Sequence, residues 1–184
     1  MHIRITPLES QPEQASAQLE QQPGLIAAYV MQPMDQQQPV LVSVWTSVAE
    51  AEDAAITAGG LDFASASFLS FDGVDGPPAY GEIVYFGPRS QSQADAMERA
   101  NRERIAPAIR DVSGNLGAFV GYNADGSSVV VALTSSLQAI EDSQRAIMAT
   151  SLLPGEDAAL LSGPDRTQLA WVLAASSRTA PISV

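Results

Sequence analysis

The chain has 184 residues, a formal net charge of −12 and a 46% hydrophobic composition, enough for one large domain or two small ones with cores of their own. All nine basic residues are arginine, cysteine is absent and His2 is the only histidine, which removes Schiff-base and P-loop lysines, thiolate nucleophiles and zinc sites, disulfides and multi-histidine metal centres. The acidic balance disfavours nucleic acid, no apolar run approaches the roughly 20 residues of a membrane span, and residues 1–8 lack a basic-then-apolar leader, so a cytoplasmic protein without cofactor, metal, nucleic-acid or membrane partner is expected.

In chain order, residues 2–7 read as a short strand and Pro12 suits the first turn of a helix reaching about Gln21. Pro23-Gly24 stops that helix, and strands at about 25–32 and 39–45 follow across a turn-rich Pro33–Gln38 loop. Ser47 with Glu50 forms the reciprocal pattern of a helix start, and Val48, Ala51, Ala55 and Ala58 make its apolar stripe. After Gly59-Gly60 comes an irregular stretch holding Phe63, Phe68, Leu69 and Phe71, then a strand from about Gly81 to Gly87.

The second half repeats this order. A helix from Ser92 to about Ile109 is capped by Ser92 with Asp95, and strands near 116–122 and 127–133 meet across Asn123-Ala124-Asp125-Gly126, where Asp-Gly is hairpin chemistry. Ser135 with Gln138 opens a helix whose buried stripe is Leu137, Ile140, Ile147 and Met148, and Gln168 to Ala174 forms the last strand. Gly24–Tyr29 returns as Gly117–Tyr122, and Val40–Ser47 returns as Ser128–Ser135, the latter at an offset of 88 positions (Thr46 to Thr134). Such a repeat sets architecture before any single residue does.

Each half therefore reads as a β-α-β-β-α-β unit, 1–88 and 89–184, with strand 81–87 aligning to either end of a unit. It is expected to close the first sheet and open the second. Residues 40–45 and 129–133 are apolar at nearly every position, so both faces need cover. Helices cover one face. Leaving the other bare would cost several kcal/mol at about 25 cal/mol per Å², so the two antiparallel sheets are expected to pack face to face, making an α+β pseudo-dimer that is complete as a monomer or associates further as a homodimer.

The stretch Gly24 to Ala58, with its Gly-led strand, hairpin, Val44-Trp45-Thr46-Ser47 and following Ala/Glu helix, resembles the antibiotic biosynthesis monooxygenase-like units of the dimeric α+β barrel superfamily. The resemblance covers residues 2–88 well and 89–175 more weakly, with Leu133 where a second tryptophan would stand. It implies two fused ferredoxin-like units forming a barrel. Members that act on oxygen are associated with an asparagine on the first strand, the tryptophan of Trp-x-Ser and a histidine about ten residues later. Trp45 alone has a counterpart here: the first 100 residues hold no asparagine, and Ala55 stands at the histidine position.

Trp45, Tyr29, Tyr122 and Phe68 are the candidate ligand-binding residues, the two tyrosines because they recur at corresponding strand positions; no catalytic residue is assigned. Trp45 has a second reading as a core side chain between sheet and helix, and Trp171 reads as core. His2 is a possible proton acceptor beside a mobile terminus. Asp72, Asp75, Asp125 and Asp157 adjoin turns, which explains them better than a cation does. Arg99, Arg102 and Arg104, interleaved with Glu98 and Glu103, read as a solvated helix face. Three functions stay open: binding of a small apolar or aromatic molecule inside the barrel, cofactor-independent oxygenation with Trp45 shaping the pocket, or a purely structural or partner-binding pseudo-dimer.

Overall fold

The computed structural model describes residues 1–9, 15, 18–54, 59–71 and 76–177. Its strands are β1 (His2–Pro7), β2 (Leu25–Pro33), β3 (Val40–Trp45), β4 (Leu61–Phe63), β5 (Ser65–Ser70), β6 (Tyr80–Phe86), β7 (Asn115–Tyr122), β8 (Ser128–Thr134) and β9 (Arg166–Ser177). They form one antiparallel sheet in the order β4-β1-β3-β2-β9-β6-β8-β7-β5. The set β4-β1-β3-β2 has the strand order of a ferredoxin-like unit, and β9-β6-β8-β7 has it again.

The two edge strands are halves of one segment separated only by Ala64. Because β4 pairs with β1 and β5 pairs with β7, this segment closes the sheet into a barrel, and the Ala66 N–H donates to the Met1 carbonyl at the seam (2.9 Å). β9 does the same on the opposite side, pairing through Arg166–Trp171 with β6 and through Ala170–Ser177 with β2. Each unit's last strand thus bridges to the other unit, so the expected pair of separate stacked sheets is instead one continuous rolled sheet. The expected strand at 81–87 is β6, and it pairs with β8 and β9. It opens the second set and does not close the first, a role taken by residues 61–70.

The helices lie outside the barrel. They are α1 (Val48–Asp53), α2 (Gln91–Ala100), continued by a π-helical turn (Asn101–Ile105) and a further α-turn (Ala106–Ile109), and α3 (Leu137–Met148). Ala15, Gln18 and Leu19 are helical, whereas Pro12 at the expected start and Ala55 and Ala58 in the expected stripe fall outside the described residues. Ser47 caps α1 by accepting from the Glu50 N–H (3.4 Å). The other two caps shift. Ser90 with Gln93, not Ser92 with Asp95, forms the capping box of α2, and Ser136, not Ser135, caps α3. In both cases serines cluster at the boundary, and the one whose backbone is extended while its side chain reaches the third N–H takes the role.

The register also corrects the internal alignment. Trp45 pairs with Leu25 and Thr134 with Asn115, so the hairpins repeat at offsets of 90 (Leu25 to Asn115) and 89 (Trp45 to Thr134). Gly24 and Gly114 confirm it: both have positive φ (71° and 84°), and their carbonyls accept from Thr46 and Ser135 at 2.9 Å. Glycine suits this conformation because it has no Cβ. Trp45 therefore matches Thr134, not Leu133, and Tyr29 matches Phe119, not Tyr122.

Among the described residues, two apolar clusters divide the core. Ile3, Tyr29, Val42, Phe63, Phe119 and Val131 belong to the barrel interior, drawn from both units. Leu19, Val30, Leu41, Trp45, Ala51 and Ala54 lie between the first unit's sheet and its helices. No helix among the described residues is long and apolar enough to cross a membrane.

Candidate functional site

Alternation along the strands sends side chains to one cluster or the other. On β2, Tyr29 faces the interior and meets its pseudo-symmetric counterpart Phe119 with ring centroids 6.0 Å apart; Phe68 packs on the same Phe119 at 4.6 Å. Burial pushes the Tyr29 hydroxyl up to about 12, so it remains a neutral phenol at any ordinary pH. The interior is closely filled at the positions the glycines report. A Cβ on Gly117 would come within 2.7 Å of the Phe68 ring, one on Gly121 within 2.7 Å of Phe63 and one on Gly81 within 2.9 Å of the Met31 methyl.

The polar chemistry gathers on the opposite side of β1. Ile3 and Ile5 point inward, which turns His2 and Arg4 towards the helices. The Arg4 Nη1 donates to the Ala51 carbonyl of α1 (2.7 Å), while its Nε and Nη2 donate to the two carboxylate oxygens of Asp62 on β4 (2.6 and 3.2 Å). The His2 Nε2 bonds the same Asp62 Oδ1 at 2.7 Å. Burial pushes the Asp62 carboxyl up, yet hydrogen bonds and charge from Arg4 and His2 outweigh it and hold the group below its ordinary value. Asp62 is thus ionised and accepts only, so the His2 Nε2 is the donor, and in a neutral ring Nδ1 carries the lone pair.

His2 is 1% exposed and pairs across the strands with Trp45, which is 0% exposed. Among the described residues, neither the His2 Nδ1 nor the Trp45 Nε1 has a hydrogen-bond partner, although both atoms are buried. Paired residues on one face of adjacent strands have Cβ atoms about 4.5–5.5 Å apart. A buried polar atom left without a partner costs about 1–3 kcal/mol, so two on paired residues mark an unusual place. Asp62, at 44% side-chain exposure, carries the cluster out to solvent.

The second unit lacks this arrangement. Matching registers put Tyr80 where His2 stands, Glu82 where Arg4 stands and Thr134 where Trp45 stands. The Thr134 hydroxyl donates to the Ser136 carbonyl (3.0 Å), and Asn115 donates to the Ile109 carbonyl (3.2 Å). Glu82 is half-buried, and burial raises its carboxyl despite a hydrogen bond from Gln144 (2.8 Å). A raised carboxyl means the native state binds the proton more tightly than the unfolded chain, so this group's contribution to stability falls as pH rises from the ordinary glutamate value through the raised native one. Glu82→Gln should therefore raise the melting temperature at neutral pH, and the gain should vanish in scans run well below that range; a variant less stable at pH 7 would contradict this.

The candidate residues thus separate. Tyr29 and Phe68 share the interior; Trp45 lies on the helix side of the first unit; Tyr122 lies on the helix side of the second, where burial raises its hydroxyl against a hydrogen bond to Asn101 of the π-turn. Trp171, expected in the core, is 45% exposed on β9. Asp125 and Asp157 accept from the Ser127 and Ala159 N–H groups (both 2.9 Å), as turn chemistry requires; Asp72 and Asp75 lie outside the described residues. Arg99 and Arg102 pair with glutamates on the solvated face, but Arg104 turns inward to Glu156 (3.0 Å), whose side chain is almost fully buried. His2 is ordered in β1 and not at a loose end. Arg4 and Asp62 escaped the sequence reading, although polar residues alternating with Ile3 and Ile5 on a strand covered on both faces must find partners.

No family model matches the sequence, and no curated protein does. Solved structures match along nearly the whole chain. A candidate monooxygenase from Fusobacterium nucleatum aligns over 96% of this chain and 93% of its own with TM-score 0.66 at 6% identity. An uncharacterised ferredoxin-fold protein from Listeria monocytogenes, related to antibiotic biosynthesis monooxygenases, aligns over 93% of both chains (TM-score 0.59, 10% identity). A major regulator of staphylococcal pathogenesis aligns over 95% of this chain and 100% of its own (TM-score 0.62, 7% identity). The chain has the antibiotic biosynthesis monooxygenase-like fold. At these identities the likeness speaks to fold alone, and the regulator illustrates that one fold serves unlike tasks.

Proposed function

We propose that this chain binds a small aromatic or apolar molecule on the helix-facing side of its first unit, against Trp45 and His2. The observation that carries this is the pair of buried, unpartnered nitrogens on facing residues, set against a second unit whose corresponding threonine is satisfied. A ligand oxygen in reach of both would remove the penalty that their lack of partners carries. The barrel interior is the weaker location, because its aromatic rings already pack on one another.

Hydroxyquinones and haem titrated into a Trp171→Phe variant, where Trp45 is the only tryptophan, should give a saturable fluorescence change. Trp171 is exposed, so that background is benign. No saturable response to any of them would favour a purely structural pseudo-dimer.

The His2–Asp62 pair favours a second reading, cofactor-independent oxygenation. A carboxylate that orients an imidazole and leaves its other nitrogen free is the arrangement of a general base. In that reading His2 takes a proton from an activated aromatic CH2; the carbanion reduces O2, one oxygen stays as the ketone and the other leaves as water with the remaining hydrogens. Oxygen uptake that needs His2 would support it, and binding without uptake would reject it.

A further inference from the structure

The side chains of Arg4, Arg104 and Arg89 all lie largely out of solvent, and two of them are well engaged. Arg4 donates to both Asp62 oxygens and to the Ala51 carbonyl. Arg104 meets the Glu156 carboxylate at 3.0 and 3.3 Å and the Thr150 hydroxyl at 2.9 Å. Arg89, with a side chain only 8% exposed, differs. Of its five N–H groups, one has an acceptor among the described residues: Nη2 donates to the Gly163 carbonyl (2.9 Å). Its Nε is buried without a partner. The Asp165 carboxylate stands 3.6 Å from Nη2, beyond hydrogen-bond length, because it accepts from the Gly87 N–H at 2.6 Å. A buried charge ordinarily has both a counter-charge and its hydrogen bonds.

We infer that Arg89 anchors a site for a small oxyanion, the carboxylate or phosphate group of a ligand, at the corner where β6 turns into α2. The corner is rigid. The Arg89 N–H donates to the Asp125 carbonyl (3.2 Å) of the β7–β8 hairpin, and the hairpin comes so close that a Cβ on Gly126 would lie 2.4 Å from the Arg89 carbonyl oxygen. The guanidinium sits 5.2 Å from the centre of the Phe86 ring. The corner is also open to water on one side: nothing lies within 4 Å of a Cβ on Gly163, and a Cβ on Gly87 would meet only the Asp165 carboxylate. That side chain is 65% exposed, so it can swing into solvent and uncover the guanidinium for an incoming anion.

The local potential favours the same ligand. Arg89 immediately precedes Ser90, the N-cap of α2, and the first turn of α2 carries no acidic residue. The helix therefore adds the uncompensated positive end of its dipole to the guanidinium. The net charge of −12 repels a polyanion, which leaves a small anion as the occupant.

A buried Nε–H exchanges slowly with water, so Arg89 should give a resolved side-chain signal in protein labelled with nitrogen-15, assigned by its loss in Arg89→Gln. Sodium phosphate and sodium acetate are titrated separately into the full chain at constant ionic strength. At least one should shift the Arg89 Nε signal saturably while those of Arg4 and Arg104 stay in place. A response to phosphate alone or to acetate alone identifies the source of the oxyanion, and a response to both shows that the site reads the shared chemistry. Asp165→Asn alters an exposed side chain and keeps the test open where Arg89→Gln fails to fold. It retains an oxygen for the Gly87 N–H but removes a negative charge beside Arg89, so it should tighten binding about five-fold. Absence of a saturable shift with either anion, in the native chain and in Asp165→Asn alike, would overturn the site. So would a shift shared equally by Arg4 and Arg104, or weaker binding after Asp165→Asn.

Discussion

Trp45→Ala should lower the unfolding free energy by about 3–5 kcal/mol, the range for emptying a fully buried aromatic position. Trp45 is completely enclosed by the cluster that joins β2 and β3 to α1, and the indole volume would be replaced by a cavity facing Leu19, Leu41 and Ala51. Urea unfolding followed by far-ultraviolet circular dichroism measures this, since the variant loses the local fluorophore. Trp45→Phe should fall well short of that loss, because the ring still fills much of the space and the orphaned indole N–H disappears. It should nonetheless abolish any ligand response that depends on that N–H. A loss below about 1 kcal/mol for the alanine variant would mean that the site is loosely packed and collapses readily.

Gly117→Val should be the other severe substitution, and it probes barrel closure. Gly117 has φ 143°, outside the range favoured by branched side chains, and an added Cβ would lie 2.7 Å from both the Leu69 carbonyl oxygen and the Phe68 ring of β5. Conformational strain of about 1–3 kcal/mol adds to overpacking of about 1–3 kcal/mol, and the backbone oxygen gives way less easily than a side chain. Because Gly117 pairs with Ser70, β5 should detach first, so amide exchange at residues 65–70 should accelerate ahead of the rest of the sheet. Gly59→Ala is the control: its φ is 76° but nothing lies within 4 Å of the added Cβ, leaving strain alone. Comparable destabilisation by the two substitutions would show that closure against β5 contributes little.

The segment that closes the barrel shows why part of this fold hides in the sequence. Phe63, Ala66 and Phe68 all pack towards the interior, but Phe63 and Ala66 are three apart and break the two-residue period of a strand. The break is Ala64, where the chain leaves β1 for β7, and Asn123 braces the corner by accepting from the Ala64 N–H (3.1 Å) and donating to the Asp62 carbonyl (2.9 Å). Asn123 reads as a turn residue from sequence, which captures its locale and not this contact with residues about 60 positions away. Tyr122 misled for a related reason: Gly24 answers to Gly114 and not to Gly117, the bulge being common to both hairpins, so a match by spelling slips by three residues and the tyrosine lands on the opposite face.

The sequence by itself determined the hairpins, the Ser47 cap, the two-unit repeat and the need to cover both faces of β3 and β8, because each depends on residues within a turn or strand of one another. Tertiary structure alone decided which strands bridge the units, which face each aromatic takes, and that His2, Arg4 and Asp62 form one hydrogen-bonded cluster beside Trp45. Those outcomes depend on register and on pairing across dozens of residues, and a one-residue change in register exchanges the two faces of a strand. Local pattern carries no record of that choice, which is why the lack of lysine, thiolate and multi-histidine chemistry is legible in composition while the candidate site is not.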